Sequence, residues 1–426
     1  MRVLWLCNIM LPVIAAHLGL PASNKEGWLS GLAAKLRREN PAELELGICY
    51  PSAAGTGMMQ GELDGLRWYG FLEDTVRPER YDGAVEGRLL QILADFQPDI
   101  VHIFGTEYPH TLAMTRAFAR PERTLIGIQG LCFVYADAYM ADLPEKIRHR
   151  TSLRDFLKRD NLMRQQEKYR LRGGYEQEAL KRTGHVTGRT DWDRMWTKRV
   201  NPSAVYHFMN ETLRESFYGP VWDGEACMPC SIFVSQGNYP IKGLHYLLEA
   251  MPRVLKKFPL AHIFVAGDEI TRASTWKERL KLSGYGLYLR ELIGRYHLER
   301  VVTFLGRLDE EQMLGRFLGS HVFVSPSSIE NSPNSVGEAM LVGMPVISSD
   351  VGGVSSMLRS GEEGLLYPAG DTDALTERLC YVFDKNNRAE VEKLGRKARM
   401  RALKTHDAQT NYRRLLEIYH EIYLCV

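Results

Sequence analysis

Two glutamates separated by seven residues, Glu330 and Glu338, stand in the stretch PSSIENSPNSVGEAMLVGMPVISSDVGG from Pro326 to Gly353. The residues just before it, His321 to Val324, read as a buried parallel strand, and a polar loop carrying Glu330 follows. Ser335 and Glu338 have capping-box spacing, Ala339 to Leu341 continue a helix, and Gly343 with Pro345 stops it. A loop between a strand's carboxyl end and a helix's amino end is where open α/β sheets bind ligands, and the free N–H groups there attract phosphate. A carboxylate in that place suits sugar or ribose hydroxyls, each such hydrogen bond contributing about 1.5–3 kcal/mol. Taken alone, Glu338 reads first as the capping-box partner of Ser335 rather than as a ligand contact. Lys242, followed by Gly243 at the start of another helix, lies where the helix dipole disfavours a cation, so its presence points to an anion. Together these residues describe a ligand with phosphate and polyol parts.

Glu330, Glu338 and the following AMLVGMPVISSDVGG, with Gly343-Met344-Pro345 and Gly352-Gly353, resemble the donor-site motif of retaining family-4 (group 1) glycosyltransferases of the GT-B fold. The resemblance implies an α/β protein of two Rossmann-like doubly wound domains facing a cleft. It implies retaining transfer of a hexose-type sugar from a nucleotide-diphosphate sugar to a saccharide or lipid-linked acceptor, with no cofactor and no obligatory metal. In that reading Glu330 and Lys242 are catalytic: Lys242 grips the diphosphate and Glu330 orients the transferred sugar. Glu338 binds the ribose, and Asn334 and Ser335 present the helix amino end to the diphosphate. Relatives carry an arginine five residues before the lysine. Gly237 holds that position here, so diphosphate contact passes to Lys242 and the backbone around Gly237 and Asn238. Arg307 follows a strand in the loop that holds the nucleotide base in relatives.

The elements that position these residues alternate strand and helix, which makes doubly wound parallel sheets. A length of 426 residues fits two such domains. We expect an acceptor-binding domain over 1–220 and a nucleotide-sugar domain over 221–405. A terminal helix over 406–426 is expected to cross back to the first. Val3 to Cys7 reads as the opening strand, although the apolar stretch from Val3 to Leu20 has some features of a secretory signal. No GxGxxG follows that strand, which argues against a dinucleotide-dependent dehydrogenase. Gly27 sits where the first long helix begins. In the first half, Glu107 and His110 follow a strand in GTEYPH and are candidates for the acceptor. Gln129 stands where many relatives have a histidine. Arg189 follows the strand His185–Gly188 and is a candidate for ligand contact. HIFGTEYPH and VTGRTDWD resemble segments of bacterial glycosyltransferases that build surface polysaccharides.

Composition narrows the remaining classes. A formal net charge of +2 with 25% charged residues speaks against a nucleic-acid partner for the chain as a whole. Seven cysteines in so long a chain make no disulfide framework, and a reducing cytoplasm is the expected setting. Cys227 and Cys230 form a single CxxC without a second pair, too little for zinc. Asp191-Trp192-Asp193 reads as a helix start near Thr190 rather than a metal site. Residues 146–172 are strongly basic, with Leu153, Phe156, Leu157 and Met163 at helical intervals. A basic amphipathic helix there serves an anionic membrane surface or packs on its own domain. Two other readings of the chain compete: a glycoside hydrolase using two glutamates, and a non-catalytic nucleotide-sugar-binding protein.

Overall fold

A computed structural model describes residues 1–20, 27–39, 43–52 and 58–424. β-Branched and aromatic runs give fourteen strands among the described residues, in two sheets. The first sheet holds β1 (Arg2–Leu6), β2 (Glu45–Ser52), β3 (Met59–Leu63), β4 (Leu66–Leu72), β5 (Ile100–Phe104), β6 (Thr124–Gly127), β7 (His185–Gly188) and β8 (Val205–Phe208). Its spatial order is β3-β4-β2-β1-β5-β6-β7-β8. The second holds β9 (Met228–Val234), β10 (His262–Ala266), β11 (Val302–Gly306), β12 (Ser320–Ser325), β13 (Val346–Ser349) and β14 (Leu365–Tyr367), in the order β11-β10-β9-β12-β13-β14. All neighbours are parallel except the β3–β4 hairpin. In each sheet the order reverses at one place, between β1 and β5 and between β9 and β12. The loops leaving those strands are where a doubly wound sheet binds its ligand.

Two compact units result. One comprises 1–136, 168–213 and 406–426, the other 137–167 and 214–405. This differs from a simple cut at 220. Residues 137–167 join the second unit because Asp155 accepts from the Gly284 N–H (2.7 Å), Arg150 pairs with Glu291 (2.9 Å), and His245 Nε2 hydrogen-bonds the Ala141 carbonyl (2.9 Å). The expected single helix over 146–172 is three: Glu145–Arg148, Leu153–Lys158 and Leu162–Lys181. Ser152 and Asp155 form a capping box that starts the second, and Arg159 in the left-handed region (φ 51°) ends it.

The helix Ala408–Leu424 packs in the core of the first unit. Leu415, Ile418, Tyr419 and Ile422 share one apolar cluster with Val3, Trp5 and Ile48. The Tyr419 hydroxyl accepts from Trp5 Nε1 (2.7 Å), and His102 Nδ1 lies 2.7 Å from the same oxygen. Two more buried histidines border this segment: His207, 3.2 Å from Glu421, and His406, whose Nδ1 donates to the Glu211 carbonyl (2.7 Å). Burial lowers His102 to about 3, and His207 and His406 to about 4. The unfolded chain therefore binds more protons than the folded one below the ordinary histidine value of about 6.5, so stability present above that pH is lost as pH falls toward about 4. We expect the urea midpoint of the first unit to drop steeply from about pH 7 to about pH 5, each histidine contributing on the order of 1–2 kcal/mol. A flat midpoint over that range would mean that these histidines are not held neutral.

Candidate functional site

In the second unit the loops after β9 and β12 bring Lys242, Glu330, Asn334 and Ser335 around one pocket with Ser235, Gln236, Ser325 and Ser327. Gly243 (φ 68°) makes this possible, since a Cβ there would lie 1.8 Å from the Pro326 carbonyl oxygen. Gly352 (φ 55°) does the same beneath Glu330, where a Cβ would meet the Glu330 carbonyl oxygen at 1.8 Å. Any side chain at either glycine would push the two loops apart. The Glu330 carboxylate is buried and accepts from Lys242 Nζ (2.5 Å) and Ser327 Oγ (2.7 Å). The ammonium thus stands beside the pocket with one of its three donors committed to Glu330.

The helix Asn334–Val342 begins one residue before Ser335, after Pro333, and no side chain caps it. The expected capping box between Ser335 and Glu338 is therefore absent. Its first-turn N–H groups, at the dipole's positive end, lie where Asn334 and Ser335 line the pocket. Glu338, buried in the second turn, is instead clasped by Arg214, with Nε to Oε1 at 2.6 Å and Nη2 to Oε2 at 2.7 Å. Burial raises the Glu338 pKa, and the guanidinium opposes that rise. Arg214 also stacks over the Phe217 ring at 4.6 Å. Arg214 and Ser327 escape a sequence reading because their partners are 124 and 3 residues away, with no motif joining them.

The other donor-side candidates are placed less directly. Gly237 lacks room for a side chain because Leu244 would lie 2.7 Å from its Cβ, and the Oδ1 of neighbouring Asn238 is buried without a hydrogen-bond partner. Arg307 does not line the pocket. Its side chain is 83% exposed and makes a bidentate pair with Asp268 at 2.6 and 2.9 Å.

In the first unit the candidates follow the carboxyl ends of successive strands. His110 is fully buried, with Nδ1 2.5 Å from Glu73 and Nε2 3.0 Å from Asn8. Asn8 in turn donates to Glu107 (3.4 Å), whose pKa burial raises. Gln129 donates to Glu211 (2.6 Å) and accepts from Arg189 Nη2 (3.2 Å), and Arg189 pairs with Glu211 as well. Asn8, Glu73 and Glu211 carry no motif in the sequence, yet each follows a strand end as the others do. Gly27 is the first residue of the helix Gly27–Glu39. Asp193 belongs to the Thr190 capping box and also accepts from the Arg189 N–H (2.9 Å) and the Tyr206 hydroxyl (2.5 Å). Cys227 and Cys230 are free thiols. Among the described residues no three His, Cys, Asp or Glu side chains are grouped to hold a metal.

Two Rossmann-like parallel sheets are the architecture of the GT-B glycosyltransferases. The chain superposes over its whole length on sucrose-phosphate synthase from Thermosynechococcus elongatus, with TM-score 0.70, 16% identity and 100% of each chain covered. It also matches Anabaena HepE in complex with UDP-glucose, with TM-score 0.66 and 14% identity over 99% of this chain and 100% of that one. Residues 229–385 match the family model described as glycosyl transferases group 1. The chain is 29% identical over 187 residues to a putative colanic acid biosynthesis glycosyltransferase, WcaL, of Salmonella typhimurium, covering 42% of each chain. It is 30% identical over 155 residues to the phosphatidyl-myo-inositol mannosyltransferase of Mycobacterium leprae, covering 36% of each. The matched stretch thus spans about two fifths of these curated relatives.

Proposed function

We propose that the protein is a retaining glycosyltransferase that moves a hexose-type sugar from a nucleotide-diphosphate sugar to a saccharide or lipid-linked acceptor. Its product would enter surface polysaccharide or glycolipid, made in the cytoplasm at the inner face of the membrane. The observation that carries this reading is the Lys242–Glu330 pair at 2.5 Å beside the uncapped amino end of the helix Asn334–Val342. As the sugar–phosphate bond breaks, charge grows on the departing diphosphate. Lys242 and the helix N–H groups stabilise it more in the transition state than before, and this stabilisation needs no metal. Glu330 orients the sugar by accepting from its hydroxyls. Glu338 keeps lone pairs beyond the two that Arg214 occupies, enough to accept from ribose hydroxyls. On the acceptor side, Glu107, Gln129 and Arg189 contact the incoming hydroxyl compound, and buried His110 positions Asn8 and through it Glu107. The names of the relatives support a polysaccharide or glycolipid product, and the UDP-glucose complex of HepE supports a nucleotide sugar as donor.

A thermal-shift screen of UDP-, GDP- and ADP-sugars, with magnesium and with chelator, tests this. One nucleotide class stabilises the protein equally in both conditions, by about 2.7 kcal/mol at a hundredfold excess over Kd. The Lys242→Ala variant loses that response. A folded protein that responds to no nucleotide sugar would remove the reading.

A further inference from the structure

Four apolar residues of the basic 146–172 segment, Leu153, Phe156, Leu157 and Met163, are not packed inward, whereas Ile147 and Leu162 are buried. On the short helix Leu153–Lys158, Phe156 is 70% and Leu157 71% exposed, and Leu153 and Met163 are exposed beside them. The helix is held firmly all the same. Its capping box is closed at Ser152, and Asp155 is fastened to the Gly284 N–H at 2.7 Å. A second exposed apolar point lies nearby on the same unit. The helix Trp276–Arg279 is capped by Thr275 and Glu278 and presents Trp276 at 70% exposure, with Leu280 exposed one turn on. A surface groove lined by Arg154 of the first helix and by Glu269, Arg272, Glu278, Lys281 and Leu282 around the second lies between them.

Exposed apolar residues scattered singly need no explanation, but two capped turns holding Phe156, Leu157, Trp276 and Leu280 outward side by side do. Their surroundings say what covers them. Lys158, Arg159, Arg164, Arg272, Lys277, Arg279 and Lys281 are exposed around these points. Of the nearby carboxylates, Asp155 and Glu278 are engaged in capping and Asp160 by Arg154 at 3.4 Å, while Glu269 is exposed in the groove, so cations outnumber the remaining acid. A protein partner of matching charge would need an acidic rim around an apolar centre on both points at once. A bilayer of anionic lipid offers both everywhere on its surface, and Trp, Phe and Leu among Lys and Arg are the residues that settle at its headgroup boundary.

We infer that this face of the second unit docks on an anionic membrane surface, with Phe156, Leu157 and Trp276 entering the headgroup boundary and the seven cations neutralising lipid charge. Docking is independent of sugar transfer and is tested apart from it. The purified full chain is floated with vesicles of phosphatidylcholine, with or without about a third phosphatidylglycerol. The wild type floats with the anionic vesicles only, and high salt releases it. Phe156→Ser/Leu157→Ser/Trp276→Ser and, separately, Lys158→Glu/Lys277→Glu/Lys281→Glu each reduce partitioning about tenfold or more. Both variants keep the wild-type melting temperature and nucleotide-sugar response, since the changed side chains are exposed. Failure of the wild type to float, equal flotation on neutral vesicles, or variants that float like the wild type would each overturn the inference. So would sedimentation velocity showing a wild-type dimer that the serine variant dissociates, because the face would then belong to a second copy of the chain.

Discussion

Glu330→Gln slows sugar transfer by roughly 10²–10³-fold, the range seen when one preorganised polar group is removed from a transition state, while nucleoside diphosphate binds at least as tightly as before. The two effects part because of how the pair is built. In the free protein Glu330 accepts from both Lys242 and Ser327 and partly neutralises the ammonium that faces the pocket. An amide of the same shape keeps a carbonyl oxygen for Ser327 but no longer draws charge from Lys242, so more of the ammonium's charge faces the diphosphate. What disappears is the anionic acceptor proposed to orient the sugar. Lys242→Ala behaves differently, losing binding and transfer together. It also strands a buried carboxylate without its cation, at a cost of about 3 kcal/mol or more. Calorimetric titration with nucleoside diphosphate, beside steady-state transfer, separates the two variants. Near-normal turnover in folded Glu330→Gln would take this residue out of the mechanism.

Arg214→Ala lowers stability by about 3–5 kcal/mol, the range for breaking a buried ion pair from one side. Glu338 is 5% exposed, and both its oxygens are engaged by the guanidinium. Without Arg214 that carboxylate has no cation, and its pKa, already raised by burial, rises further. The folded form then binds its proton more readily than the unfolded form, so the defect is largest at high pH and shrinks as pH falls through the raised value. Adding Glu338→Gln recovers most of the loss, which a double-mutant cycle on urea midpoints measures. An Arg214→Ala protein as stable as the wild type would show that the pair contributes nothing to folding.

The sheets were legible wherever a short apolar run ended at a turn: β1, β7 and β12 lie within a residue or two of their expected places. The Thr190–Asp193 helix start was legible for a local reason, since cap and partner are three residues apart. The β3–β4 hairpin was missed although its signal is present. Asp64 and Gly65 both take left-handed backbone (φ 49° and 77°), the Asp-Gly pair that a two-residue hairpin turn demands. The same local logic failed at Ser335 and Glu338, where capping-box spacing was right but a distant arginine displaced the backbone as partner of the carboxylate. Of the candidate site, the motif located Lys242, Glu330, Asn334 and Ser335. It could not supply Arg214, Glu211, Glu73 or Asn8, whose roles arise only when separate strand ends are brought together. The basic segment from 146 onward was legible as composition, but its division into capped helices depends on Ser152 and Arg159, single residues inside a strongly helical pattern.

The helix Ala408–Leu424 completes the apolar cluster around Trp5, yet it is synthesised after the whole of the second unit. During translation the nascent first sheet must wait, with Trp5 and its neighbours uncovered, while residues 214–405 are made and begin to fold. The order of assembly therefore runs against the order of the chain: the second unit can close first, and the unit begun earliest is finished last.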